Sequence, residues 1–283
     1  MKFLFLFLLT TLPVIAQSKF DFKSPANIKQ FADYLYCEMD FLRAAEEYNR
    51  LTGSFRNDTL IFKTGLCYFN IGNLNQSGKI FDEISDKSNF YDDALFQKYR
   101  IIFLNNPSGF YSFYQRDQYP GKEDNLFLSS YKLAMISSLL NEDLKLSEAE
   151  FTEPFNTEER KHLKFFFDWK NNPPFKSPVL SGIFSTIIPG SGKIYTEEYG
   201  DGIVAFLTTG LLTFLAYDNF RANHKTRAWI FTSLTGLFYA GNIYGSIASA
   251  QIYNARISFE FKDGINLFLE KNNYFSPEYD FCK

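Results

Sequence analysis

The chain lacks any dense run of lysine or arginine, and a formal net charge of -3 with a pI near 5.6 leaves no basic surface to neutralise a phosphate backbone. The composition therefore argues against nucleic acid as a partner. Histidine is nearly absent: His162, in a charged helix face (EERKHLK), and His224 are the only two, so no Ser-His-Asp or Cys-His set can be assembled. Three cysteines, Cys37, Cys67 and Cys282, have no metal-site spacing and are an odd number for a disulfide framework. Cys37 and Cys67 stand 30 residues apart, and an oxidising compartment could join them if their Cα atoms approach within about 7 Å; a buried free thiol is the commoner outcome. Carboxylate pairs such as Glu46-Glu47 and Asp92-Asp93 fall on helical segments as solvated surface. The expectation is a protein that is not an enzyme, with no catalytic, cofactor or metal site.

At 283 residues the chain exceeds the usual single-domain range, so two units are expected. Its 34 Phe and 18 Tyr suit helix-on-helix packing and membrane-interface belts, although a codon bias would give the same count. Met1-Lys2, the apolar run Phe3–Leu12, Pro13 and the small-residue pattern ending at Ala16 have the form of a secretory signal, with 1–16 removed. The apolar run is about 15 Å long as a helix, too short to remain as an anchor. No Cys follows, so an acylated N-terminus is not supported.

Residues 31–51 and 64–84 align at a constant offset of 33. Leu35 aligns with Tyr68, Asp40-Phe41 with Asn73-Leu74, Ala44 with Ser77, Tyr48 with Phe81 and Leu51 with Ile84. The small residue lets two helices approach, and the aromatic one turn later fills the gap to the next pair. The pattern resembles the tetratricopeptide repeat, with Gly65, Tyr68, Gly72, Ser77 and Phe81 at that family's small and aromatic positions. In the first unit Ala32 and Met39 replace the glycines, and the family's closing Pro is missing from both. Tyr91–Phe103, Asn125–Leu140 and Ser147–Trp169 have helical apolar spacing and are expected to form further, degenerate pairs. The resemblance implies an all-α solenoid over 17–172 whose concave surface binds a protein partner. The aromatic stretch Phe110–Tyr114 is either such a surface or a buried helix face.

Asn171-Asn172-Pro173-Pro174 closes that region. Pro178–Ile188 is small and apolar but only about 17 Å long as a helix, so it is expected to be interfacial or re-entrant. Two uncharged stretches, Gly202–Tyr217 and Ala228–Tyr253, can span a bilayer, with Tyr195, Tyr199, Tyr217, Trp229 and Tyr253 as interface anchors. Pro189, Gly190, Gly192, Tyr195, Asp201 and Gly202 carry a resemblance to small bacterial membrane domains in which a short apolar segment ends in Pro-Gly-x-Gly-x-x-Tyr and leads into a two-helix transmembrane hairpin. The turn is no phosphate loop, because Ile187 and Ile194 stand where Gly and a hydroxyl are required.

Gly241, Gly245 and Ser249 form a small-residue stripe, expected to pack against the first span or to pair two copies into a homo-oligomer, with Asn242 as an interhelical hydrogen bonder. The loop 218–227 holds three Lys or Arg in ten residues and is expected in the cytoplasm, placing the repeats and the tail 254–283 outside the inner membrane. The domains are thus a leader (1–16), a periplasmic repeat domain (17–172), a membrane hairpin (173–253) and a tail (254–283). The functional expectation is a membrane-anchored scaffold or adaptor in envelope or membrane-protein biogenesis, held in the lipid bilayer and bound to a protein partner through its repeats. The rival is a small subunit of a transport or channel complex.

Overall fold

A computed structural model describes residues 23–51, 55–117 and 124–282; the expected leader lies outside these residues. Within them the chain forms thirteen α-helices and no strand. It divides into two compact units. The first holds the described residues up to Asn105, together with 124–127 and 277–282; the second holds 106–117 and 128–276.

The first unit is built from α1 (Pro25–Cys37), α2 (Phe41–Arg50), α3 (Asp58–Asn70), α4 (Leu74–Phe81) and α5 (Tyr91–Asn105). Capping explains the repeat. The side chains of Ser24 and Asn57 accept from the backbone N–H of Asn27 and Leu60, and those of Asp40 and Asn73 from Arg43 and Gln76. Between the paired helices the chain passes through the left-handed region at Met39 (φ 60°) and Gly72 (φ 78°), with matching bonds from Asp40 N–H to Leu35 O and Asn73 N–H to Tyr68 O, each 2.9 Å. Glycine takes this conformation without penalty, whereas Met39 costs about 1 kcal/mol, a strain the first hairpin carries and the second does not. The Ser77 hydroxyl donates to Gly65 O at 2.8 Å, and a Cβ at Gly65 would strike the Phe81 ring. Ala44 and Tyr48 occupy the equivalent places and are buried.

In the second unit lie α6 (Phe110–Asp117), most of α7 (Asp124–Leu140), α8 (Glu148–Thr152), α9 (Thr157–Asn171), α10 (Pro178–Ile187), α11 (Ser191–Tyr195), α12 (Tyr199–Arg221) and α13 (Lys225–Lys271), closed by a 3-10 turn at Asn273–Phe275. Along the chain, α1, α3, α5, α7 and α9 begin at Pro25, Asp58, Tyr91, Asp124 and Thr157, each 33 residues after the last. The helices between them drift in start and length, which hides the period downstream.

Three segments are resolved further. Ser147–Trp169 is two helices: Pro154 has no N–H to continue α8, and Asn156 caps α9 through a reciprocal bond pair with Glu159. Within Phe110–Tyr114, Phe110 and Tyr114 are buried, so those two rings belong to a core. The stretch after Tyr253 is no loose tail: α13 continues to Lys271, burying Ile265 and Leu269 completely. Nearby, Lys170 Nζ donates to Ser138 O (2.5 Å), Asn141 O (2.7 Å) and Leu144 O (2.7 Å), closing the end of α7. Burial holds this ammonium's pKa below the ordinary lysine value.

Candidate functional site

The first candidate site lies on α1, α3 and α5 of the first unit. Residues 277–282 run across α1, α3 and α5 without helical structure. In an extended chain alternate side chains share one face, and here Tyr279 and Phe281 do so, with nearly parallel rings 6.1 Å apart. Tyr279 meets Phe62 of α3 edge-on at 4.9 Å and accepts a hydrogen bond from Gln97 of α5 at 3.2 Å. Burial, and then the neighbouring Asp93 carboxylate, push its phenol well above the ordinary tyrosine value. Phe281 rests between Tyr36 of α1 and Phe62, with the Lys63 ammonium 4.8 Å above its ring. Cys282 then forms a disulfide with Cys37 at the end of α1, the Cα atoms 5.6 Å apart. Cys67 is buried and unpaired with another cysteine, its thiol pushed up to about 12 by burial, so the pairing of Cys37 with Cys67 does not occur.

Lys63 reaches this face because Asp33 compensates its charge. Its ammonium, almost fully buried, lies 2.7 Å from Asp33 Oδ1, which also accepts from the Tyr48 hydroxyl at 2.7 Å, while Lys29 bonds the other oxygen at 2.7 Å. Burial raises the Asp33 pKa, but the three donors outweigh it and hold the carboxyl below the ordinary aspartate value. The repeat residue Tyr48 is thus also a support for the lysine that covers Phe281.

The second candidate site is the turn in the second unit, where α10 and α11 fold as a short helical pair against α13. Ser177 caps α10, and its backbone N–H donates to Tyr195 Oη at 3.1 Å. Chain reversal needs Gly190 at φ 87°, where a Cβ would collide with Gly202 O. Gly192 lies so close to Ser181 O that it too admits no side chain. The irregular backbone is satisfied by hydroxyls. Ser181 donates to Gly192 O (2.9 Å) and Ser246 O (2.7 Å), Ser185 accepts from Gly192 N–H (3.0 Å), and the Ser185 and Ser246 hydroxyls are 2.6 Å apart. Asn254 of α13 exchanges two hydrogen bonds with the Lys176 backbone, at 2.8 and 2.9 Å. Tyr253 donates to Glu197 Oε1 at 3.2 Å.

All six expected turn residues fall within this module. Pro189 ends α10, Tyr195 bonds the start of α10, and Gly202 packs under Ile194. Asp201 pairs with Lys193 at 3.7 Å. On the small-residue stripe, a Cβ on Gly245 would lie 3.5 Å from the Lys193 side chain and Ser249 bonds Thr196 (2.5 Å), so both face the turn rather than α12. Gly241 meets nothing within 4 Å. Asn242 is buried, yet neither atom of its amide has a hydrogen-bond partner, correcting the expected interhelical bond. Sequence reasoning missed Ser181 and Ser246, which hold the turn, and the roles of Asp33, Lys63 and Asp93.

Of the two expected spans, α12 alone is long and apolar enough to cross a membrane. Ala228–Tyr253 is helical throughout but diluted by Thr, Ser, Asn and Gln. Large apolar side chains are exposed along α10, α12 and the first half of α13, among them Ile183, Ile187, Phe206, Leu211, Phe214, Ile230, Leu237 and Ile252. A contiguous apolar surface of this kind marks a membrane or protein contact. Among known proteins, the chain matches no family model, no curated protein and no solved structure.

Proposed function

We propose that the chain is a non-enzymatic, membrane-anchored adaptor whose helical repeats hold an extended, aromatic segment of a protein partner outside the cytoplasm. The observation that carries this reading is the segment 277–282 lying across α1, α3 and α5. It supports a face suited to two aromatic side chains spaced by one residue, one against Phe62 and Gln97, the other against Phe62, Tyr36 and Lys63. Peptide recognition by repeat proteins uses a surface of this kind, and a resident segment keeps it from exposing apolar area until a partner displaces it. The five leading helices at 33-residue spacing support a tetratricopeptide-like array.

For the membrane, we read α12 and the first half of α13 as two spans and α10–α11 as a re-entrant pair. Non-helical backbone at membrane depth requires internal partners, which Ser181, Ser185 and Ser246 supply. Two cues bear on sidedness. Arg221, Lys225 and Arg227 flank the turn between α12 and α13, favouring the cytoplasm for it. The Cys37–Cys282 disulfide belongs to an oxidising compartment, which suits the periplasm for the repeats.

The test is photocrosslinking in cells from probes at Phe69 and Tyr91, in the repeats away from the disulfide. A dominant crosslinked partner whose yield rises in Cys282→Ser supports the adaptor. No partner in either background removes it.

A further inference from the structure

The cavity between α12 and α13 holds polar groups that nothing in the chain satisfies. It has a volume of about 450 Å³ and is lined by Lys193, Asp201, Thr209, Leu237, Phe238 and Asn242. Asp201 and Thr209 stand eight residues apart on α12, so the cavity runs about 12 Å along the helix. The Asn242 amide is buried with neither atom bonded, a penalty that a ligand's polar atom would relieve. Ionisable and amide groups beside a span are rare and mark sites of binding or passage.

We propose that this cavity binds a zwitterionic phospholipid with a primary-amine headgroup; the inference rests on the membrane reading above. Lys193 and Asp201 form a loose pair of opposite charges, 3.7 Å apart. A ligand of one sign would be attracted by one of them and repelled by the other. A phosphate and an ammonium in the same headgroup satisfy both, the phosphate taking the Lys193 ammonium and the amine donating to the Asp201 carboxylate. A trimethylated amine has no N–H for that bond. Further along the cavity, the buried Asn242 amide donates to an ester carbonyl of the lipid backbone. Leu237 and Phe238, both exposed, flank the acyl chains. The open space over Gly241 is what admits a chain there.

The test reconstitutes the full chain in vesicles containing phosphatidylethanolamine, phosphatidylcholine and phosphatidylglycerol in equal mole fractions, followed by flotation and native mass spectrometry. The expected result is one retained phosphatidylethanolamine, enriched over phosphatidylcholine by about five- to ten-fold, the worth of a single hydrogen bond. Asn242→Leu should abolish retention of the lipid, and Asp201→Asn should abolish its enrichment over phosphatidylcholine. If Asn242→Leu does not fold, Gly241→Leu decides, because a Cβ at Gly241 meets nothing within 4 Å and the side chain beyond it enters the cavity. Equal retention of the three lipids, preference for phosphatidylglycerol, or enrichment unchanged in a folded variant overturns the proposal. So does full displacement by soluble glycerophosphoethanolamine, which would make the site one for a free solute. A chain that does not float with vesicles overturns the membrane reading as well, whereas a floating chain without lipid preference overturns the lipid site alone.

Discussion

Asp33 shows how one carboxylate ties the repeats to the segment they hold. It serves Lys29, Lys63 and Tyr48 at once, and Lys63 in turn covers Phe281. Asp33→Asn leaves the Lys63 ammonium buried without its counter-charge, and we expect a loss of about 2–3 kcal/mol in urea unfolding. The pH dependence follows from the lowered carboxyl pKa. A group with a depressed folded pKa contributes stability above its unfolded value, near 3.9, and loses it as the pH falls through the folded value. Acid unfolding of the wild type should therefore steepen below about pH 4, and Asp33→Asn should flatten that limb. Glycines offer a sharper contrast. Gly190→Ala puts a Cβ on Gly202 O at positive φ and should cost about 2–4 kcal/mol or prevent folding. Gly200→Ala, in α12 with open space around it, should be neutral or stabilising by up to about 1 kcal/mol. Thermal unfolding of the two variants side by side checks this.

Among elements, the 33-residue period was legible at the first two pairs because their side chains repeat as well as their caps. Downstream only the starts of α5, α7 and α9 keep the period, while α6 and α8 drift, so no side-chain signature survives to be read. The turn module was legible in its glycines and in Tyr195, which a sharp reversal demands. Ser181 and Ser246 were not, because they meet only after α10 folds onto α13. The Cys37–Cys282 bond lay beyond sequence reasoning for a similar reason: the partners are 245 residues apart, and only the docking of Tyr279 and Phe281 brings Cys282 to α1. Cys282→Ser should destabilise the chain by about 2–4 kcal/mol. Hydrogen exchange should show its largest increase in α1, α3 and α5 around the segment, and no change in α12.

For the molecule as a whole, the central claim is that the face formed by α1, α3 and α5 recognises an extended segment through aromatic residues two apart. The claim does not depend on the disulfide, which sets how long the resident segment stays, not what the face accepts. It is tested most directly by adding a fluorescent peptide of sequence 274–283, with serine in place of Cys282, to two forms of the full chain: the oxidised wild type, and a Cys282→Ser, Tyr279→Ala, Phe281→Ala variant whose own segment is released. We predict saturable binding to the variant, none to the oxidised wild type, and loss of binding when the peptide's Tyr and Phe are both replaced by Ala. Absence of binding to a folded variant, or equal binding of the alanine peptide, would contradict the claim.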